Sequence, residues 1–125
     1  MKNSKVKNIL RDLFYILVLL AACITLDAQT LNKEATKLKE TNVEVYDNIK
    51  KLVSKDWEGD HQMMVYTINL QSKAVFEILA ILKMKSLDVD IMVTAMKDWT
   101  NKEGLVNYSM VAYQYNLQYK AKGNY

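Results

Sequence analysis

The chain has 125 residues, a formal net charge of +3, one cysteine, no proline and three glycines. Four basic and two acidic residues precede Gln29, so 13 basic residues face 12 acidic ones after it, and that near-neutral stretch offers no electrostatic footprint for DNA or RNA. With Cys23 alone an intrachain disulfide is impossible, and no C-x-x-C-H motif exists to hold a c-type haem covalently.

The first element is a leader. Residues 1–11 carry Lys2, Lys5, Lys7 and Arg11, and an apolar run follows from Leu13 to Ala22. A positive segment before an apolar stretch of about ten residues is the layout of a secretory signal peptide, so the chain is expected to be exported to the periplasm, outer envelope or extracellular space. Two endings are written into the same stretch. Leu20-Ala21-Ala22-Cys23 resembles the lipobox of bacterial lipoproteins, in which the cysteine is lipidated and becomes residue one. Leu26-Asp27-Ala28 before Gln29 is a rougher small-residue cleavage site. The expected organisation is therefore a signal peptide over 1–28, or 1–22 if Cys23 is lipidated, and a single helical domain over 29–125. An uncleaved anchor is a third outcome, although the apolar run is shorter than the roughly twenty residues of a spanning helix. Membrane contact is expected only through a lipid or an uncleaved signal.

Beyond the leader, apolar residues at Leu31, Ala35, Leu38, Val45, Ile49 and Leu52 follow helical spacing, with Thr30 as an N-cap. They predict one amphipathic helix over residues 30–54. Its weak point is Thr41-Asn42-Val43-Glu44, which resembles a capping box and could restart the helix. Asp60 can cap a second helix over 61–85, with Met64, Ile68, Gln71, Val75, Ile78 or Leu79, and Leu82 inward. Because residues 74–82 are apolar nearly all round, this helix is expected at the centre or against a partner. Acidic residues in the first turn suggest a short third helix over 88–98 burying Val89, Met92, Ala95 or Met96, and Trp99, with a strand as the alternative. Thr100-Asn101-Lys102-Glu103 has the form of a capping box for a last helix over 101–120, showing Leu105, Tyr108, Ala112, Tyr115 and Tyr119 on one face. The expected fold is all-α: a small antiparallel four-helix bundle.

An internal echo suggests two αα-hairpins. Lys55-Asp56-Trp57 recurs as Lys97-Asp98-Trp99, and Asn69-Leu70-Gln71 as Asn116-Leu117-Gln118. Duplication of a hairpin with a longer second loop would produce this, and so would chance in a chain rich in Lys, Leu and Gln.

Chemistry is sparse. His61 with Met63 and Met64 is the one cluster hinting at a metal, since thioethers plus imidazole suit Cu(I). Residues two and three apart on a helix do not converge on one ion, and methionine commonly fills cores. A haem held by His61 and a methionine is the related alternative. Asp56, Glu58 and Asp60 around Trp57 could do acid–base work, but they read more simply as caps and loop solvation. No nucleophile elbow or phosphate loop is present, so no catalytic residue and no resident cofactor is expected. Tyrosine is the remaining oddity: Tyr108, Tyr113, Tyr115 and Tyr119 lie on the last helix, and rigid amphipathic rings favour interfaces. The functional expectation is a non-enzymatic domain that binds an unknown protein or itself in the bacterial cell envelope; the alternative is a small-ligand, copper or haem carrier.

Overall fold

Asn42 cuts the first expected helix in two. Its backbone leaves the helical region (φ −144°, ψ 74°), its amide still donates to the Leu38 carbonyl at 2.7 Å, and its side chain accepts from Val45 N at 3.3 Å. One residue thus closes a helix and caps the next. The result is α1 (Lys33–Thr41) and α2 (Val43–Asp56) in place of a single rod. Asn32, two residues beyond the expected cap Thr30, opens α1 by accepting from Ala35 N at 2.8 Å.

The computed structural model describes residues 7–13 and 30–123. These fall into two units, one within residues 1–30 and one from Leu31 onward. Residues 7–13 are helical and exposed. The rest of the apolar leader run, Cys23 and the cleavage site at Ala28 lie outside the described residues.

Three more helices complete the second unit: α3 (His61–Leu82), α4 (Val89–Asp98) and α5 (Tyr108–Gly123). Asp60 caps α3 through Met63 N at 3.0 Å, and Asp88 caps α4 through Ile91 N at 3.1 Å. The β-branched residues of α4 are helical, and the described residues contain no strand, only an isolated bridge between Thr100 and Val106. The domain is all-helical.

The last helix begins later than expected. The Thr100–Glu103 box does not cap it; Asn101 instead folds a loop around itself, its side chain accepting from Glu103 N and Leu105 N at 2.9 Å each. Gly104 takes φ +80°, where a side chain would be strained. Leu105 is buried from this loop and not from a helix face.

α3 is the hub: α1 and α2 pack on one side of it, and α5, which also holds α4, packs on another. Ala35, Leu38, Tyr46, Ile49, Val53, Ile68 and Val75 form one buried cluster between α1, α2 and α3. Ala74, Ile78, Ile81, Met92, Ala95, Val111, Ala112 and Tyr115 form the other between α3, α4 and α5. Each fully buried aliphatic side chain contributes about 1.5–3 kcal/mol. Partly buried Tyr108 touches both clusters and joins them. Among the described residues, α3 is the helix long and apolar enough by composition to cross a membrane, but here those side chains supply both halves of the core.

Candidate interaction surface

A buried amide fixes where α5 stands. Gln71, 3% exposed in the middle of α3, accepts from Tyr108 N at 2.6 Å and Ser109 N at 3.3 Å. Its Nε2 donates to Asn107 Oδ1 at 2.8 Å and to Ser109 Oγ at 3.0 Å. The first amides of a helix lack partners within it, so a side chain from another helix is satisfying them here. Asn107 adds the local cap, accepting from Met110 N at 3.3 Å. α5 therefore starts beside the middle of α3, and a groove of about 310 Å³ runs between them, lined by Leu70, Lys73 and Glu77 from α3 and Tyr113 and Asn116 from α5.

The four tyrosines separate by depth. Tyr115 is 4% exposed, stacks on Tyr119 at 5.7 Å, and its hydroxyl accepts from Asp88 N at 3.0 Å. It anchors the α4 start to α5 and is buried. Tyr108 is half-buried, and burial, with Glu44 nearby, raises its phenol pKa. Tyr119 is exposed and stacks on Tyr115. Tyr113 is 61% exposed and lines the groove. Of the residues expected at a partner surface, Tyr113 and Tyr119 are exposed, and Tyr113 the more so.

α3 supplies the other side of this surface through residues outside its expected inward set. Tyr66 and Leu70 are exposed, as is Leu117 on α5. Tyr66 and Leu70 are four residues apart, and an outward stripe could have been found by asking which positions of the all-round apolar helix remain once the inward set is removed.

The metal candidates differ in burial. His61 is exposed at the helix start, whereas Met64 packs against the α1–α2–α3 cluster and Met63 is half-buried. Among the described residues, no group of three or more His, Cys, Asp or Glu side chains is arranged to hold an ion. Asp56, Glu58 and Asp60 are all exposed at the α2–α3 corner, with Asp60 serving as the α3 cap.

No family model matches the chain, and no curated protein or solved structure matches it significantly.

Proposed function

We propose that this chain is an exported, non-enzymatic helical domain of the bacterial cell envelope that binds another protein or a second copy of itself. The observation that supports it is the apolar surface left on α3 and α5 after the core is made: Tyr66, Leu70, Tyr113 and Leu117 stay open to solvent while the groove between the two helices is shallow. A soluble domain scatters single apolar residues over its surface, but neighbouring ones at helical spacing mark a contact site. In this reading the domain is a small bundle of two αα-hairpins, α2–α3 and α4–α5, with α1 folded onto α3. The leader over residues 1–28 is a signal peptide that ends at Ala28 or, with lipidation, before Cys23.

The test is crosslinking in an exporting host that expresses the full gene. A photoreactive amino acid at Tyr113 should give a discrete crosslinked band, and the same probe at exposed Lys97 should not. A strict absence of crosslinks from both positions would sink the binding reading. The intact mass of the exported protein checks the address: a start at Gln29 or an acylated Cys23 supports export, and an uncut chain retained in the cytoplasm contradicts it.

A further inference from the structure

The outward face of α3 carries a pattern that the core does not use. Tyr66, Leu70, Lys73, Glu77 and Ala80 follow one another at alternating steps of four and three residues, and Met84, just past the helix end, continues the series. That alternation is the seam spacing of a helix that packs along another helix. All six are exposed, Tyr66 at 54%, Leu70 at 43% and Met84 at 55%. Inverted about residue 75 the order answers itself: Tyr66 meets Met84, Leu70 meets Ala80, and Lys73 meets Glu77.

The two charges strengthen the reading. Lys73 and Glu77 are four residues apart and line the same groove, yet they form no ion pair with each other or with any other described residue. Lys placed before Glu is the weaker intrahelical order, which leaves both groups free to pair elsewhere. A second α3 laid antiparallel puts each Lys73 against the other's Glu77, twice, by the same two-fold axis.

We propose that a second copy of this chain docks on this face, α3 against α3 in antiparallel order, with two Lys73–Glu77 pairs setting the register and the Tyr66–Met84 contacts closing each end. Sulfur–aromatic contact suits those ends. A charged pair within a seam specifies alignment at some cost in strength, so the dimer is modest. The inference rests on the binding reading above and narrows it to one partner and one surface.

The experiment uses mature protein purified from the exporting host and measures mass in solution by light scattering across about 1–200 µM. Wild type should pass from monomer to dimer. Lys73→Glu and Glu77→Lys, both at exposed positions and both checked for unchanged helical content, should each weaken the dimer at least about tenfold. The double variant K73E/E77K, and an equimolar mixture of the two single variants, should recover it, because each restores opposite charges across the axis. A monomeric wild type over the whole range overturns the proposal, as do single variants that dimerise like wild type or a double variant that stays monomeric. The failures are separable: a monomer whose Tyr113 probe still crosslinks to another protein overturns this dimer and leaves the binding reading standing.

Discussion

Lys55-Asp56-Trp57 ends α2 and Lys97-Asp98-Trp99 ends α4, and the chain leaves the two helices by different routes. The stops are alike: Trp57 N donates to Val53 O at 3.0 Å and Trp99 N to Ala95 O at 3.2 Å. The restarts are not. After Trp57 the chain turns through Gly59, at φ +82°, and Asp60 caps the next helix with its own side chain. After Trp99 it runs through the Asn101 loop and the Thr100–Val106 bridge, and the next helix has, besides its Asn107 cap, two first-turn amides held by Gln71 on another element. The first corner is encoded within itself. The second depends on a contact that exists only once α3 is in place.

The comparison breaks most visibly at Gln71. Gln71→Leu strands the Tyr108 and Ser109 amides in a partly buried place, while Asn107 Oδ1 keeps the Ser109 hydroxyl and the Met110 amide, so about 3 kcal/mol of unfolding free energy should be lost in a urea titration. A loss under about 1 kcal/mol would show that Asn107 starts α5 unaided and that both corners are local. The tryptophans give the next effect. Trp99 packs on the α3–α4–α5 cluster, and its Nε1 donates to Gln114 Oε1 at 2.7 Å, whereas Trp57 is exposed at a tight turn. Trp99→Ala should cost about 2 kcal/mol and Trp57→Ala about 0.5 kcal/mol by the same titration. Equal costs would mean that the two corners play one structural role. Asp60→Ala removes a single local cap and should cost about 1 kcal/mol.

What the sequence showed and what it hid follow the same division. The Asp60 cap and the weak point at Thr41–Glu44, where Asn42 interrupts the expected single helix, rest on hydrogen bonds between neighbours in the chain and show as local patterns, and the central place of α3 follows from its nearly all-round apolar run. Gln71 was placed inward by periodicity, yet its role could not be read, because its partners lie 37 and 38 residues away. The Thr100–Glu103 box misled for the converse reason: Asn101 satisfies the Glu103 and Leu105 amides in a loop, an arrangement that uses the same residue types as a cap. Of the alternatives Ile78 or Leu79 it is Ile78 that is buried, whereas Leu82, expected inward, is exposed and its neighbour Ile81 is buried, since α3 is covered by different helices along its length. Val89 was expected inside and lies outside. At the surface, helical spacing sets Tyr113 off the face that Tyr108, Tyr115 and Tyr119 share, and Tyr115 on that face is buried while Tyr113 is exposed.

The smallest effect separates the caps that open α2 and α4. Asn42 begins α2 and carries no charge; Asp88 begins α4 and is bound at 2.5 Å by Lys122 from the end of α5. The Lys122 hydrogen bond, followed by the Ile91 amide, holds the Asp88 carboxyl below its ordinary 3.8, and the same partner holds Lys122 above its ordinary 10.5. A carboxyl lowered in the folded state adds stability above its unfolded pKa and loses it as pH falls through the folded one. A raised lysine adds stability below its unfolded pKa and loses it as pH rises through the folded one. The clasp therefore works between about pH 4 and about pH 10.5 and fades on either side. Asp88→Asn keeps an oxygen for the Ile91 amide and deletes only the charge, so the melting temperature should drop by at most about 2 °C at pH 7 and salt should shrink the difference. At pH 3 the Asp88→Asn and wild-type curves should draw together. Asn42→Ala should instead lower the melting temperature equally at both pH values, since an uncharged cap has no proton to gain. Thermal melts of the two variants at pH 3 and pH 7 decide it: a pH-independent Asp88→Asn difference would mean that Asp88, like Asn42, acts as a cap and nothing more.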